Sequence, residues 1–381
     1  MKKAYHVTVL GAGPAGLASA LSLRNQATES EVVFDIDVFD ASTDSGVKVG
    51  ETIPPAATRV LRDLIGDQTH QILLEHAVCP GSISVWGSEQ PGNNDFIFNL
   101  EGQGYHLDRL KFEQQLSTLT QCSQIKLTKG IRLMSVTSGH HGFKLQLEDA
   151  HSIRTIDTDF LVDATGCAAI SARKMGFARN SLDEVIFICA LLDCDSIRFE
   201  PDELPPHTLV ESCRYGWWYS AKLPQSKVMI TLCSDRTEIA ALRLDQTYVW
   251  LDLLKQTRLL GTELERLLCR ISSQQVRLFK RSASSSILSA VIAPNWLAAG
   301  DAACSYDPIS SAGITKALMH GHLAGRCIFN YLRDNDTNSL SQYQNQVFAD
   351  FNQYVGLRHS LYACEQRFLT SGYWQRRLGL V

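Results

Sequence analysis

The stretch that most constrains this chain lies at its start. Residues 6–10 (HVTVL) form a short β-branched strand, followed at once by Gly11-Ala12-Gly13-Pro14-Ala15-Gly16 and then by the Ala/Leu-rich LASALSLRN. A GxGxxG run between a strand and a helix is the context in which that motif binds a dinucleotide. Gly11 permits the turn, Gly13 lets a pyrophosphate approach the backbone, and Gly16 lets the helix pack closely on the strand. The helix start, from Ala15 on, offers free N–H groups and the positive end of the helix dipole to that anion. The next apolar run, residues 31–39 (EVVFDIDVF), ends in Asp40, 24 residues after Gly16. An acidic residue there accepts hydrogen bonds from ribose hydroxyls. Asp35 and Asp37 read as exposed strand positions.

Composition narrows the partners. With 36 Lys+Arg against 40 Asp+Glu, the net charge of -4 argues against a general nucleic-acid or anionic-membrane binder. No apolar run approaches the ~18 residues of a membrane span. Lys2-Lys3 and Ala18-Ser19-Ala20 imitate a secretory signal, but Gly11, Gly13, Pro14 and Gly16 break the apolar run between them, so a cytoplasmic location is expected. Eleven scattered cysteines without a CxxC suit buried thiols in a reducing compartment, and no metal site is expected.

A second signal stands some 290 residues downstream. Residues 295–303 (NWLAAGDAA) read as a buried strand entering Gly300-Asp301, followed by a loop with Pro308 and Gly313 and a helix of small residues. Two nucleotide contacts so far apart require the chain to return to its first sheet, which a plain nicotinamide dehydrogenase does not need. With the middle segment 159–176 (DFLVDATGCAAISARKMG), these motifs resemble the FAD-dependent monooxygenase superfamily built like para-hydroxybenzoate hydroxylase. The resemblance implies an α/β fold: a Rossmann-like FAD-binding domain, an inserted mixed β-sheet substrate domain and a helical C-terminal tail. It places Gly300 and Asp301 at the ribityl and pyrophosphate region of FAD, and Pro308, Gly313 and Ile314 against the flavin ring. Asp163, Gly166 and Arg173 would lie near the cofactor phosphates, and Arg109 against the cofactor. A helix cap for Asp301 and a surface ion pair for Arg109 are the structural alternatives.

Gly50-Glu51-Thr52-Ile53-Pro54-Pro55 follows Asp40 by ten residues and resembles the strap over the flavin in flavin-dependent halogenases. Two departures weigh against halogenation itself. The WxWxIP signature is replaced by residues 216–224 (GWWYSAKLP), and residues 76–87 (HAVCPGSISVWG) lack the lysine expected there. The strap, residues 307–318 (DPISSAGITKAL) and residues 354–377 of the tail are instead similar to flavoproteins of the LodB and GoxB type, which mature the cysteine tryptophylquinone of amino-acid oxidases. That resemblance implies oxygenation of a peptidyl tryptophan in a precursor amino-acid oxidase as partner. A small-molecule aromatic hydroxylase is the main alternative, ahead of a halogenase or a non-catalytic flavin-binding chaperone. Trp217, Trp218 and Tyr219 are candidates for the wall over the flavin, or simply a packed strand. Glu51, also placed with Thr52 at the cofactor, and His106 are the candidate bases. Without a second GxGxxG after a strand, NAD(P)H would bind transiently or another reductant would supply electrons.

The implied division is residues 1–175 for the first part of the FAD domain, with 86–104 on the substrate side. Residues 176–269 form the substrate-covering sheet, 270–335 the second FAD part and 336–381 the helical tail. Phe351, Tyr354, Tyr362 and Phe368 give the tail a buried face. Arg358, Arg367, Arg376 and Arg377 read as solvated charges or as a docking patch for an acidic partner.

Overall fold

A computed structural model describes residues 4–28, 30–43 and 46–380, so Lys2 and Lys3 lie outside the described residues. A six-stranded sheet runs in the order Ile292–Ala293, Trp296–Ala298, Phe160–Asp163, Ala4–Leu10, Val33–Asp40, Lys126–Lys129. All its pairings are parallel except the hairpin at Ile292–Ala293. Its central strands are near-continuous apolar runs because helices cover the sheet. The register aligns Leu10 with Asp163 and Asp163 with Ala298. The corners at residues 11, 164 and 299 therefore leave the sheet side by side at its carboxyl edge, where ligands of such sheets bind.

Helices Pro14–Ala27 and Gly313–Asp334 pack together almost backbone to backbone. A Cβ on Gly321 would fall 2.4 Å from the Ala15 carbonyl oxygen, and one on Gly325 2.5 Å from the Leu23 nitrogen. Small residues hold the two cofactor-facing helices at this spacing. Gly321→Leu is expected to cost at least ~2 kcal/mol, because the clash is with backbone that has no other rotamer to adopt. Urea titration of the variant checks this.

The second sheet has seven strands in the order Leu278–Ser282, Val185–Asp193, Lys227–Asp235, Gly216–Leu223, Thr208–Cys213, Gly81–Val85, Gly92–Asp95. Besides strands from residues 185–235 it contains Gly81–Val85, Gly92–Asp95 and Leu278–Ser282. Those additions are pairings between distant segments, such as the parallel pair Thr208–Cys213 with Gly81–Val85, which short strands do not announce. One face buries Ile188, Trp218 and Leu232 against Trp250 and the helices of residues 236–268. The other face carries Phe187, Trp217 and Met229 toward Tyr362, Tyr373 and Trp374 of the tail.

The tail helices Thr337–Ala363 and Gly372–Leu378 bury Phe351, Tyr354 and Tyr362, with Phe368 half-buried. Its arginines are engaged within the chain rather than freely solvated. Arg358 donates to Asp183 at 2.7 Å, Arg367 to Glu365 at 2.6 Å, and Arg376 to Asp235 and Glu238 at 2.9 Å each. The Arg377 guanidinium sits 4.7 Å over the Tyr373 ring. Most of these partners come from segments more than a hundred residues away, which no local pattern reveals. All eleven cysteines are free; Cys122, Cys167, Cys269 and Cys364 are exposed, contrary to the expectation of uniformly buried thiols. No helix among the described residues is long and apolar enough to cross a membrane.

Candidate active site

A cavity of about 830 Å³ opens between the two sheets, within the size range of cofactor sites. Its floor is the turn at Gly11, where φ is +100° and a Cβ would meet the Ala164 carbonyl oxygen at 2.2 Å. Only glycine fits there. Gly13 and Gly313 also line the cavity, and a Cβ on either would touch nothing within 4 Å. These two glycines open the starts of helices Pro14–Ala27 and Gly313–Asp334, neither of which has a side-chain cap. Two helix N-termini with free N–H groups thus converge on one hollow, a donor set suited to diphosphate and to negative charge on a reduced ring. Pro14, Ala15 and Ile314 complete the two helix starts.

Asp40 lines the same cavity at the end of its strand. Its carboxylate accepts from the Ala12 N–H at 2.6 Å and the Ser42 N–H at 2.7 Å, which fixes it while leaving lone pairs for hydroxyl donors. Asp301 faces it from the other segment, its side chain 44% exposed, and pairs with Lys316 at 2.6 Å. It is not a helix cap. Burial opposes the Lys316 charge, but Asp301 outweighs it and holds the lysine pKa above its ordinary value. Lys316 also donates to the Cys304 carbonyl and sits 4.4 Å over the Tyr306 ring. Asp163 lies behind the wall. It accepts from Thr165 and from the Ser171 hydroxyl and Ala172 N–H, and so shapes the corner whose Ala164, Thr165 and Gly166 line the cavity. Arg173 is exposed and outside the lining, so it does not take the phosphate position expected for it.

The strap closes the cavity from the substrate side. Arg109 donates to the Val49 and Gly50 carbonyls at 2.7 and 2.8 Å and to Glu113 at 2.7 Å, and Glu113 also pairs with Lys48. The ion pair expected for Arg109 is present but largely buried rather than on the surface, and the same guanidinium holds the strap. Its Nε is buried without a partner among the described residues. The tryptophan halogenase family model matches residues 89–378, three quarters of the chain. The chain belongs to this family. LodB of Marinomonas mediterranea, described as an FAD-dependent oxidoreductase, is 26% identical over 388 residues, covering 98% of this chain and 97% of LodB. The halogenase CmlS, a flavin-dependent enzyme, superposes with a TM-score of 0.83 at 21% identity, over 99% of this chain and 68% of CmlS. QhpG, a peptidyl tryptophan dihydroxylase essential for tryptophylquinone cofactor biogenesis, gives a TM-score of 0.76 at 22% identity, over 98% of this chain and 78% of QhpG. At these identities the two structures establish the fold. Membership makes the chain an FAD-dependent oxidoreductase, and a cavity with two uncapped helix starts and the Asp40 carboxylate in its lining fits that cofactor.

In this member of the tryptophan halogenase family the aromatic wall is Phe187, Trp217 and Tyr219. Trp218 is not part of it. Alternation along the strand Gly216–Leu223 turns it to the opposite face, where it packs edge-on to Trp250 at 5.0 Å. His106 is also outside the lining. It is buried behind the strap, with Nδ1 2.9 Å from the Thr52 hydroxyl and Nε2 3.1 Å from the Pro206 carbonyl, so it is not a base facing substrate. Gly16 and Gly300 serve packing: a Cβ would come within 1.9 Å of the Gly11 oxygen or 2.6 Å of Ala15 Cβ. Glu51 lines the cavity, almost fully buried, with Oε2 3.1 Å from the Tyr219 hydroxyl and Oε1 unpartnered among the described residues. Burial drives its pKa up to about 7 against the pull of Arg109. Sequence reasoning missed Lys316, Lys48 and Tyr306. Lys316, three residues into the helix opened by Gly313, had a readable signal: a lysine on the first turn facing an acidic corner.

Proposed function

We propose that this cavity holds FAD and that the enzyme uses it as a monooxygenase on a tryptophan side chain of a partner protein, during tryptophylquinone maturation of an amino-acid oxidase. The observation that carries this reading is the likeness to LodB, which extends end to end along both chains. The peptidyl tryptophan dihydroxylase QhpG supports it through the shared fold. Bound and reduced, FAD supplies the chemistry that activates O₂ and delivers one oxygen atom to an electron-rich ring. The chain's own residues do the rest. Gly13, Gly313 and the helix starts bind the diphosphate side, Asp40 the ribose, and Asp301 with Lys316 the linker between them. Pro308 and Ile314 line the same hollow as Trp217 and Tyr219 and with them keep water from the ring, and Arg109 holds the strap in place.

A surface feature supports a macromolecular substrate. Beyond the strap, Ile97, Phe98 and Leu100 project from a loop almost wholly exposed, Phe98 at 92%. That loop runs into the strand Gly104–His106, which pairs with the strap strand Thr52–Ile53. Clustered exposed apolar groups of this kind mark contact surfaces. Co-expression with a precursor oxidase, NAD(P)H or a flavin reductase system as electron source, and mass spectrometry of the precursor's tryptophan peptide form the test. A gain of one oxygen atom per turnover, lost without FAD, is expected; an unmodified peptide with hydroxylation of free phenols or indoles overturns the protein-substrate reading.

Halogenation is the second reading, favoured by the closer superposition on CmlS. Against it, the stretch of residues 76–87 has no lysine, and Lys48 in the cavity wall is ion-paired to Glu113. Running the same assay with bromide separates the two, since a halogenase adds bromine and a monooxygenase adds oxygen.

A further inference from the structure

We propose that Glu51 and Tyr219 form a two-position proton switch in the cavity wall, its polarity set from behind by Thr52 and His106. The Pro206 carbonyl can only accept, so His106 Nε2, at 3.1 Å, carries the ring hydrogen. Burial keeps His106 neutral, pushing its pKa down to about 4. Its Nδ1 is then an acceptor, and the Thr52 hydroxyl at 2.9 Å spends its only hydrogen there. Thr52 Oγ1 is left as an acceptor toward Thr208 at 3.3 Å and Tyr219 at 3.2 Å.

Tyr219 has one hydrogen and two acceptors within reach: Thr52 Oγ1 and Glu51 Oε2, the latter at 3.1 Å. When Glu51 is ionised, the phenol donates to the carboxylate. When Glu51 is protonated on Oε2, its O–H donates to the phenol oxygen and the phenol hydrogen turns to Thr52. Both states satisfy every donor of the set, so the balance between them does not turn on an orphaned donor. Oε1, buried and unpartnered among the described residues, is the carboxyl oxygen left for a group in the cavity. A proton taken from that group on Oε1 is carried to the phenol side when the carboxyl turns over, and the Tyr219 hydrogen rotates to Thr52 as it arrives; the reverse motion returns it, and no electrons move. The charged and titratable groups facing Glu51 are Arg109 from the helix Arg109–Cys122, Tyr219 from its strand and Cys189 from the strand Val185–Asp193. Only Arg109 favours the anion by charge, and burial outweighs it, which leaves both protonation states accessible near neutral pH.

For its use in catalysis the inference rests on the cavity being the flavin site; the titration itself does not. The experiment is infrared difference spectroscopy (wild type minus Glu51→Gln) of the full-length protein against pH, as purified and again with FAD added, with FAD affinity measured separately by flavin fluorescence quenching. A buried-carboxyl band titrating near neutrality and absent in Glu51→Gln is expected. Tyr219→Phe removes the donor to the anion and moves the midpoint up by about one unit, because a hydrogen bond to a charged acceptor is the stronger one. Thr52→Val removes the acceptor needed only in the protonated state and moves it down. A general loosening of the wall would shift both variants the same way. A midpoint in the ordinary carboxylate range, or shifts of the same sign in the two variants, overturns the switch. FAD binding unaffected by changes at Gly13 would overturn the flavin assignment alone.

Discussion

Gly13→Leu is expected to abolish flavin binding while leaving the protein folded. The reason is the geometry of the helix start. A side chain at residue 13 meets no protein atom within 4 Å, so the fold has nothing to lose, but it projects into the hollow where two uncapped helix N-termini converge. The expected loss in FAD affinity is at least 100-fold, or about 2.7 kcal/mol. Fluorescence titration with FAD and a melting curve of the FAD-free protein check it together. Binding reduced by less than tenfold with an unchanged melting curve would mean that the diphosphate sits elsewhere. Gly11→Ala, by contrast, is a folding variant, because its Cβ collides with the Ala164 carbonyl and its φ is left-handed.

Arg358→Met is expected to be the most destabilising exchange in the tail. Asp183 and Asp307 are both buried, and Arg358 is the cation between them, 2.7 Å from Asp183 and 3.6 Å from Asp307. Removing one partner from a buried charge cluster costs about 3–5 kcal/mol, since the remaining charges keep their desolvation penalty without compensation. Asp307 is already held above the ordinary aspartate pKa by burial, and losing the guanidinium pushes it further up. The sign of the pH effect follows. In the variant the Asp307 carboxyl has a folded-state pKa raised further above its unfolded value, so acidification to pH 5, above the unfolded pKa, adds its proton preferentially to the native state and recovers stability. The double variant Arg358→Met, Asp183→Asn should regain part of the loss at neutral pH. Melting curves at pH 5 and pH 8 decide: a single variant no less stable than wild type at pH 8, or one that loses stability on going to pH 5 relative to wild type, would contradict the burial argument. The consequence reaches the active site, because Asp307 accepts from Tyr362 at 2.7 Å and Tyr362 in turn accepts from the Trp217 indole at 3.1 Å. The tail therefore braces the wall of the cavity.

Much of the cofactor side could be read from sequence. Gly11, Gly13, Asp40, Asp301, Pro308 and Gly313 all reach one hollow although they come from both ends of the chain. Each belongs to a segment whose backbone needs are met within a few residues: a left-handed turn, an uncapped helix start, a strand ending in an acid. The substrate side was less legible. The run Trp217-Trp218-Tyr219 announces a strand, but its phase relative to the cavity depends on which sheet face the tail and the helices of residues 236–268 occupy. A shift of one residue would have exchanged Trp218 for Trp217 and Tyr219. Lys316 was overlooked because its partner Asp301 lies across a loop, and the tail arginines were misread because their carboxylates sit on other elements.

The amino-acid sequence alone determined that two glycine-opened helix starts flank an acid-ended strand, and hence that this chain takes an FAD fold. Local sterics enforce the turn, since Gly11 has a left-handed φ and a Cβ there would collide with the Ala164 carbonyl oxygen. Only the tertiary structure decided which aromatic rings face the cavity, that the C-terminal arginines pair with carboxylates of the chain itself, and that Glu51 meets Tyr219 in a buried wall. Those outcomes turn on strand phase and on ion pairs closed across more than a hundred residues, where packing of the whole molecule and not any nearby pattern sets the geometry.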